Sequence, residues 1–249
     1  MCTVTWLGEN GGYSLLFNRD EKHTRGVAEQ PRTHRRDNVR FAAPIDSDGG
    51  GTWIAVNDHG LTVCLLNAYS EARLWDGAAS KSRGEIPFDV ASSRSMEDVA
   101  ERIDRTPLGC FAPFRLLALE ADRAAWLFEW SGSKITLDPN ADRRMPLTSS
   151  SFESAAVAAS RRTAFQQYIA ERTTITRTLL ERFHSCHDPA PSAYSVCMHR
   201  RDARTVSFSR VTVGASDIRL DYSSDSPCRA RPPTTVRLQR RSGRSWRPM

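Results

Sequence analysis

The chain opens with MCTVTWLGENGGYSLLFNRDE, residues 1–21, and this stretch carries the strongest fold signal in the sequence. Residues 3–7 and 13–17 are rich in β-branched, aromatic and aliphatic side chains, which favour strands. Residues 10–12 between them are Asn, Gly and Gly, which favour a turn. Two such runs around a short glycine-containing loop predict an antiparallel β-hairpin.

The register of this hairpin determines which side chains share a face. With the turn centred on Gly11, Cys2 lies directly opposite Asp20, and opposite residues share a face of the sheet. Asn18 also lies on that face because side chains alternate along a strand, whereas Arg19 points to the other face. A slip of one residue would exchange the two faces. We therefore expect a carboxylate beside the N-terminal residue, where it can hold an ammonium group or orient a thiol.

Cys2 is the first candidate for catalysis, because removal of Met1 would give it both a thiol and a free α-amino group. An N-terminal amine can serve as the base that activates a side-chain nucleophile. The ordinary pKa values are about 8.5 for a cysteine thiol and about 7.7–8.0 for an α-amine, so a proton passes between them at little free-energy cost. The alternative is that Cys2 is a small apolar residue in a terminal strand.

The composition is that of a globular protein with a buried core. Of the 249 residues 39% are hydrophobic, and no apolar run approaches the length that crosses a membrane. The N-terminus lacks the basic and then apolar segments of a secretion signal. The six cysteines are scattered without Cys-x-x-Cys spacing, which is typical of reduced thiols rather than of a disulfide framework. We therefore predict a cytoplasmic protein without membrane association.

The net charge of +6 comes from the end of the chain. Residues 229–249 contain seven arginines and no acidic residue, so the preceding part is close to neutral. We predict one folded domain over residues 1–228 and a basic, disordered tail over residues 229–249. Such a tail could contact nucleic acid or an anionic surface. The folded part has no basic stripe interleaved with aromatic residues, so we expect no dedicated nucleic-acid binding.

Further strand and helix patterns follow in blocks along the chain. Residues 52–57 and 61–67 flank an Asp-His-Gly turn signal and predict a second hairpin. Loops are expected over residues 22–50 and 68–90. The other predicted elements are strands at 114–120, 124–130, 194–199, 205–213 and 218–222, a helix after the N-cap Ser95, and one or two helices within 153–184. This order predicts an α+β domain of two antiparallel sheets with helices on their outer faces.

These motifs resemble those of the NRDE family, which is also called the transport and Golgi organisation 2 family. The resemblance depends on Cys2 in its Met-Cys-Thr-Val-Thr-Trp context, on the Asn-Arg-Asp-Glu tetrad at residues 18–21, and on the Gly-Thr-Trp of residues 51–53 that leads to Asn67. It is strongest over residues 1–70. The same layout is similar to choloylglycine hydrolases and penicillin V acylases. That similarity implies a four-layer αββα fold of the N-terminal nucleophile hydrolase type.

The resemblance implies an amidohydrolase that cleaves a linear amide, other than a peptide bond, in a small-molecule substrate. Cys2 would attack the amide carbonyl and form a thioester. Asp20 corresponds to the acylase aspartate that orients the nucleophile, and Asn67 to an asparagine that donates to the oxyanion. The tetrad adds Asn18 and Arg19 as catalytic candidates. The acylase arginine, however, lies three residues before the aspartate, where this chain has Phe17.

Three further residues are candidates for substrate binding. Where the acylases supply another asparagine, this chain has a serine-rich stretch in which the hydroxyl of Ser149 or Ser150 could donate a hydrogen bond. Arg162, beside Arg161 in an alanine-rich helix, could neutralise a substrate carboxylate. The alternative is that these arginines form the solvated face of the helix.

The catalytic candidates also have structural interpretations. Asp20 and Arg19 could form an ion pair that closes the end of a strand. Asn67 could form a hydrogen bond with the backbone at a strand terminus.

A group of histidines and cysteines raises the question of a metal site. His184, Cys186 and His187 lie close in sequence, and Cys197 and His199 follow. Zinc sites favour defined pairs such as Cys-x₂₋₄-Cys, which this group does not supply. We therefore expect no metal site.

The second functional hypothesis is a binding or trafficking protein that keeps the fold without catalysis. Eukaryotic members of the resembling family are linked to Golgi organisation and to haem handling, which makes haem the candidate ligand under this hypothesis. The chain lacks a Cys-x-x-Cys-His motif, which argues only against covalent haem. The hydrolase hypothesis requires no cofactor.

Overall fold

The structure is a computed structural model that describes residues 2–72, 75, 77, 79–170, 172, 174–188, 190–229 and 231–241. Over these residues the chain forms two antiparallel sheets with helices on their outer faces. None of the described helices is both long enough and apolar enough to span a bilayer.

The strands form a six-stranded and a seven-stranded sheet. The strands are β1 Cys2–Glu9, β2 Gly12–Lys22, β3 Glu29–Arg36, β4 Val39–Ile45, β5 Ile54–Asn57, β6 Thr62–Asn67, β7 Phe114–Leu119, β8 Trp126–Trp130, β9 Ile135–Asp138, β10 Leu147–Ser149, β11 Ala203–Val213, β12 Asp217–Ser223 and β13 Thr234–Gln239. The first sheet has the order β10-β1-β2-β11-β12-β13, and the second has the order β3-β4-β5-β6-β7-β8-β9. The second sheet therefore follows the sequence, whereas the first joins strands from both ends of the chain.

Alternation along β2 explains how the first sheet is covered on both faces. Leu15 and Phe17 belong to the core between the two sheets, whereas Leu16 packs on the outer face against Phe165 and Leu180. The helices are α1 Tyr69–Ala72, α2 Glu85–Val90, α3 Met96–Asp104, α4 Ser154–Ala170 and α5 Arg177–Ser185, with 3₁₀ turns at Leu108–Cys110, Ala141–Arg144 and Pro227–Arg229. The outer-face contacts of Leu16 come from α4 and α5.

The second sheet is covered in the same way by the other two longer helices. Ile86 of α2 and Val99 of α3 are buried with Val63 and Leu116 on its outer face. The layers therefore run helix, sheet, sheet, helix. This confirms the predicted α+β class and the four-layer αββα sandwich.

Most predicted elements are confirmed. The second predicted hairpin is β5 with β6, the third is β7 with β8, and the two predicted late strands are β11 and β12. The Ser95 side chain accepts a hydrogen bond from the backbone N–H of Asp98 and caps α3, as its sequence position indicated. The region 153–184 holds two helices, α4 and α5.

The first hairpin forms, but its predicted register is wrong by one residue. Cys2 lies opposite Arg19, and Thr3 lies opposite Asn18. Since a shift of one residue exchanges the faces of a strand, Arg19 joins Cys2 on the inner face and Asp20 lies on the outer face.

The register error has a physical cause at the turn. The turn consists of Asn10 and Gly11, and only Gly11 has a positive φ, of 71°. Gly12 belongs to β2 because β11 packs against it: a Cβ atom there would lie 2.0 Å from the carbonyl oxygen of Val213. The second glycine therefore serves close packing between strands and not the turn.

The segment 22–50, expected to be a loop, contains the hairpin β3–β4. Its turn residues Asp37 and Asn38 have φ values of 49° and 62°, which is typical of the tight turns that join antiparallel strands. Most of β3 is exposed at the edge of the second sheet, so its side chains are polar and the strand has no apolar alternation. The segment 68–90, also expected to be a loop, contains the short helices α1 and α2.

Residues 194–199, predicted to be a strand, are buried in large part but do not form one. Their backbone groups bond partly to side chains and partly to single backbone groups of other segments. The Asn18 amide donates to the carbonyl of Val196, and the Ser195 hydroxyl donates to the carbonyl of Cys197. The apolar run therefore reflects burial and not pairing in a sheet.

The predicted boundary at residue 228 is wrong, because β13 lies within the expected disordered tail. Leu238 is buried, and Arg240 donates from Nη1 to the carbonyls of Gly11 and Gly214. The high arginine content of this region suggested disorder, although Val236 and Leu238 alternate with polar residues as in a strand. Residues 242–249 of the predicted tail lie outside the described residues.

Candidate active site

Cys2 is the first residue of β1, which is an interior strand of the first sheet. Its partners are Arg19 on β2 and Ser149 on β10, and residues opposite each other in antiparallel strands share a face. That face points toward the second sheet, since Cys2 belongs to the core between the sheets. Cys2 is 9% exposed and lines a cavity of about 210 Å³.

The cavity is lined by both sheets and by the loops that precede β5 and α2. The described residues that line it are Cys2, Arg19, Glu21, Arg25, Asp46, Thr52, Trp53, Leu65, Asn67, Ala79, Lys81, Ser82, Arg83, Gly84 and Ala112. Four of these side chains are cationic and two are carboxylates. The described part of the cavity therefore favours a ligand with a negative charge.

Arg19 is held firmly on the cavity wall beside Cys2. Its Nη2 lies 2.9 Å from Oδ2 of Asp46 and 3.6 Å from Oε2 of Glu21, and its guanidinium lies 4.4 Å from the ring centroid of Trp53. Burial raises the pKa of Asp46, but the hydrogen bond from Arg25 and the charge of Arg19 outweigh it, so this pKa lies below its ordinary value. Arg19 is therefore a fixed cation and not a mobile side chain.

The loop before β5 is folded around Asp46 and closes one side of the cavity. Asp46 Oδ1 accepts hydrogen bonds from the backbone N–H groups of Asp48 and Gly49. Gly51 lies directly against Gly84, since a Cβ atom on Gly51 would lie 2.2 Å from the Gly84 carbonyl carbon. Only glycine allows the two loops to meet this closely.

Asp20 lies on the outer face, where it is fully buried with Arg161 of α4. Arg161 Nη1 lies 3.0 Å from Oδ2 of Asp20 and donates to Oγ1 of Thr3 at 2.6 Å. The Thr205 hydroxyl donates to Oδ1 of Asp20 at 2.6 Å. The prediction that Asp20 faces Cys2 is therefore wrong. The prediction that Arg162 binds substrate is not supported either, because Arg162 is exposed on α4 and does not line the cavity.

Asn18 is used on the outer face to hold the chain around His184. Its Nδ2 donates to the carbonyls of His184 and Val196, so its Oδ1 is left as the acceptor for His184 Nδ1 at 3.0 Å. Nε2 of His184 then accepts from the Thr5 hydroxyl at 2.9 Å. Burial and the nearby charge of Arg161 lower the pKa of His184 to about 3, so the ring is neutral. The predicted catalytic role of Asn18 lacks support, because Asn18 does not line the cavity.

The Cys2 thiol is protonated at neutral pH. Burial raises its pKa and outweighs the positive charge of the amino terminus, which lowers it; the charge of Asp20 raises it and that of Arg19 lowers it. A thiol is a weak nucleophile and the thiolate a strong one, so Cys2 could act as a nucleophile only with a base that removes its proton.

Hydrogen-bond donors flank the thiol. Asn67 lies at the end of β6 on the cavity wall and donates from Nδ2 to the Tyr69 hydroxyl at 2.8 Å. The Ser149 hydroxyl, opposite Cys2, is buried and has no hydrogen-bond partner within the described residues. Ser150 differs, because its hydroxyl donates to the carbonyl of Phe152 at 2.6 Å. Neither predicted serine lines the described cavity, but the Ser149 hydroxyl is the one available for a new hydrogen bond on the face of Cys2.

Several residues of the site were not identified from the sequence. Trp53 lines the cavity with a buried indole N–H that has no partner within the described residues. Arg83 lines it as well, is half-buried, and donates to the carbonyl of Pro113. The Gly-Thr-Trp motif pointed to Trp53, whereas Arg83 and Asp46 lie in loops whose sequence carries no comparable signal.

A second cluster of polar side chains lies away from the cavity. His187, Cys197, His199 and Cys228 each offer one ligand atom, and these atoms lie within 4.8 Å of one another. Cys228 is distant in sequence from the other three. Three of its members, His187, Cys197 and His199, belong to the group considered from the sequence. His184 of that group is held by Asn18 instead, and Cys228 was not considered.

The four layers, with a cysteine on an interior strand that faces between the sheets, define an N-terminal nucleophile hydrolase-like fold. The chain is similar to penicillin V acylase from Agrobacterium tumefaciens at 12% identity and a TM-score of 0.53, over 96% of this chain and 86% of that one. It is also similar to the Caenorhabditis elegans ortholog of N-acylethanolamine-hydrolyzing acid amidase, at 13% identity and a TM-score of 0.57, over 84% of this chain and 92% of that one. A third similar structure is a mutant conjugated bile acid hydrolase from Clostridium perfringens, at 13% identity and a TM-score of 0.54, over 96% of this chain and 92% of that one.

Sequence comparison identifies the family. Residues 1–212 match the family described as Transport and Golgi organisation 2, and the chain belongs to that family. A comparison with curated proteins gave no significant match.

Proposed function

We propose that the protein is an amidohydrolase in which Cys2, made N-terminal by removal of Met1, attacks a linear amide of a small molecule. The observation that carries this proposal is the position of the Cys2 thiol. It lies on the wall of a cavity between the sheets, beside the fixed cation Arg19. It also lies opposite Ser149, whose hydroxyl has no hydrogen-bond partner within the described residues.

The reaction requires two steps at the same carbonyl carbon. The Cys2 sulfur attacks this carbon while its proton passes to the α-amine of the same residue. The C–N bond then breaks, the amine leaves with that proton, and a thioester remains. Water attacks the thioester carbon, the carboxylic acid is released, and the thiol is regenerated. Overall, one amide and one water give one acid and one amine.

Both steps pass through a tetrahedral oxyanion that needs hydrogen-bond donors. We assign these donors to Nδ2 of Asn67 and the hydroxyl of Ser149. Asn67 Nδ2 carries two hydrogens, of which the bond to Tyr69 uses one. Fixed donors contribute strongly in a buried cavity because they need not reorganise as charge develops.

The substrate class follows from the charge of the cavity and from the similar structures. We propose an acylated amine with an anionic group, which the excess of cations on the cavity wall would bind. Arg83 is the best candidate for this contact, because no carboxylate among the described residues lies within ion-pair distance of it. The similar proteins are named as an acylase, an amidase and a bile acid hydrolase, which is consistent with acyl amides as substrates. We place the reaction in the cytoplasm, where free cysteines stay reduced.

The first test measures whether Cys2 is an activated N-terminal thiol. The intact mass of the purified protein shows whether Met1 is removed, and a thiol-reactive probe at limiting concentration is then mapped by peptide mass spectrometry. We expect loss of Met1 and faster labelling of Cys2 than of the partly exposed Cys110. Retained Met1, or labelling of Cys2 no faster than of Cys110, would contradict the proposed mechanism.

The second test measures hydrolysis. A panel of N-acyl amino acids and other acyl amides is screened for amine release by wild type, by Cys2→Ala and by the control Cys110→Ala. We expect Cys2→Ala to lose about 10⁴-fold or more of the activity, and Cys110→Ala to retain it. Activity that survives in Cys2→Ala would exclude Cys2 as the nucleophile.

The binding hypothesis gives different results in the same preparations. The described cavity, about 210 Å³, is smaller than the roughly 300–1,000 Å³ typical of sites for drug-sized ligands, and it therefore favours a small acyl amide over a macrocycle such as haem. Haem titration followed by absorbance tests this. A saturable spectral shift in wild type, with no hydrolysis of any amide, would favour the binding hypothesis.

A further inference from the structure

Two histidines and two cysteines from three separate segments converge behind the first sheet. His187 follows α5, Cys197 and His199 lie in the irregular segment after it, and Cys228 lies in the 3₁₀ turn Pro227–Arg229. Among the described residues no strand pairing joins these segments, but the backbone N–H of Cys197 donates to the carbonyl of Cys186 and so links the first two. That bond does not involve Cys228, whose side chain nonetheless meets the other three.

Two of the distances within this cluster are close to those of a tetrahedral zinc site. Nε2 of His199 lies 3.5 Å from Sγ of Cys197 and 3.4 Å from Sγ of Cys228. Tetrahedral Zn²⁺ with ordinary bond lengths holds sulfur and nitrogen ligands about 3.6 Å apart. The His187 and His199 rings have centroids 5.0 Å apart, and all four ligand atoms lie within 4.8 Å of one another.

The fourth side chain has a polar atom that lacks a partner. Nε2 of His187 is buried and forms no hydrogen bond within the described residues. A buried nitrogen without a partner costs free energy, so such atoms call for an explanation. A cation held by the other three side chains would supply the missing partner.

We propose that His187, Cys197, His199 and Cys228 bind one Zn²⁺ in a structural site. The two sulfur and two nitrogen ligands suit zinc, since hard cations such as Mg²⁺ and Ca²⁺ prefer oxygen. Four protein ligands fill the tetrahedral shell and leave no position for substrate, which is typical of structural and not of catalytic zinc. Binding releases two thiol protons, so the two thiolates neutralise the ion.

The zinc site would reach the outer face of the nucleophile hairpin through a short chain of contacts. Met198 lies between two of the ligands, and its backbone N–H donates to the Thr205 hydroxyl at 2.8 Å. That hydroxyl donates in turn to Asp20 at 2.6 Å. The metal would therefore fix the segment that positions Thr205 against Asp20, without contacting the cavity.

A Cys197–Cys228 disulfide is the competing explanation for the two close sulfurs. It would leave both histidines without a role, and it would lower the mass of the protein by two hydrogen atoms. The two explanations therefore differ in metal content, in mass and in their dependence on His199.

The test uses full-length, untagged protein, because a polyhistidine tag would bind metal by itself. The protein is purified with a thiol reductant and without chelator, and its zinc content is measured by elemental analysis. We expect about one equivalent of zinc. The metal is then removed with a chelator under reducing conditions, and Co²⁺ alone is added. We expect intense d–d absorption typical of tetrahedral cobalt with thiolate ligands, and displacement of this spectrum by Zn²⁺.

Variants distinguish a site from adventitious binding. Cys228→Ser removes an exposed ligand and is expected to fold, as its circular dichroism can confirm, yet to lose the tetrahedral cobalt spectrum. His199→Gln should lose it as well, whereas Cys110→Ser, a cysteine outside the cluster, should keep it. A spectrum unchanged in Cys228→Ser, or reduced wild type that binds neither metal, would overturn the proposal. A mapped Cys197–Cys228 disulfide in protein purified with reductant would overturn it too.

Discussion

The polar side chains on the inner and outer faces of the β1–β2 hairpin have different surroundings. On the outer face, Asn18 and Asp20 form hydrogen bonds and an ion pair with fully buried partners from α4, α5 and β11. On the inner face, Ser149 keeps a hydroxyl without a partner within the described residues, and Arg19 faces a cavity. The outer face therefore fixes the conformation, and the inner face leaves groups available to a ligand.

Alternate residues of the Asn-Arg-Asp-Glu tetrad therefore have different surroundings. Because side chains alternate along a strand, Arg19 and Glu21 reach the cavity while Asn18 and Asp20 reach the helices. We expect changes on the outer face to act on stability and changes on the inner face to act on catalysis.

The largest effect on stability is expected for the buried ion pair of the outer face. Arg161→Met removes the cation that pairs with Asp20, and breaking a buried pair on one side costs about 3–5 kcal/mol. Its neighbour Arg162 is exposed on the same helix, so Arg162→Met should change the free energy of unfolding by less than about 0.5 kcal/mol. Urea unfolding measures both. Equal decreases in the free energy of unfolding for Arg161→Met and Arg162→Met would mean that the outer face does not stabilise the fold.

Two asparagines allow a direct comparison of the faces in catalysis. Asn67→Ala should lower kcat by about 10²–10³-fold with little change in stability, because it removes an oxyanion donor. Asn18→Ala should leave kcat of the folded protein near that of wild type. It should lower the free energy of unfolding by about 1–3 kcal/mol, because buried carbonyls lose their donor. Steady-state kinetics and urea unfolding of both variants separate these outcomes. Full activity in Asn67→Ala would contradict its assignment.

The neutral His184 predicts a pH dependence that comes from the outer face. Its pKa is about 3 in the folded protein and about 6.5 when unfolded, so below pH 6.5 only the unfolded state binds the proton. The stability is complete above pH 6.5 and falls by about 1.4 kcal/mol per pH unit as the pH decreases toward 3. Urea unfolding at several pH values should show a flatter profile for His184→Gln than for wild type. Parallel profiles would exclude His184 as the source.

The smallest predicted effect concerns substrate charge on the inner face. Arg83→Gln should raise KM about tenfold for a substrate that carries a carboxylate, because a charge-assisted contact is lost. For a neutral analogue of the same size the KM should not change. Lys134→Gln, an exposed lysine outside the cavity, serves as the control. An equal increase in KM for both substrates would mean that Arg83 supports the cavity wall instead of binding charge.

The sequence was sufficient for the layers of the fold and for the strand that begins with Cys2. The pattern of β-branched, aromatic and aliphatic residues identifies β1, β2 and β5–β8 because each of these strands buries at least one face. It does not identify β3, which is polar on an exposed edge, or β13, whose arginines outweigh Val236 and Leu238 in any count of composition.

The candidate site was predicted less completely because it depends on tertiary contacts. The register at Gly12 follows from the approach of Val213, about 200 residues away in sequence. The ion pair of Arg161 with Asp20 likewise joins an alanine-rich helix to a strand with no shared pattern. Local strand and turn propensities carry no information on these two long-range contacts. The register predicted from them therefore placed Asp20 on the wrong face.

The strand order of the two sheets has a consequence for the folding pathway. The second sheet is built from consecutive strands between Glu29 and Asp138, each paired with its neighbour in sequence. The first sheet pairs β2 with β11, so it cannot close before most of the chain is synthesised. Contacts between residues distant in sequence form slowly, because loop closure must precede them.

We therefore expect the second sheet to acquire protection first in pulse-labelling hydrogen exchange during refolding, with the amides of β6 and β7 ahead of those of β1. Earlier protection of β1 would contradict this order. If the order holds, the strand of the proposed nucleophile Cys2 is assembled last. A nascent or truncated chain would then lack a thiol able to react with amides in the cell.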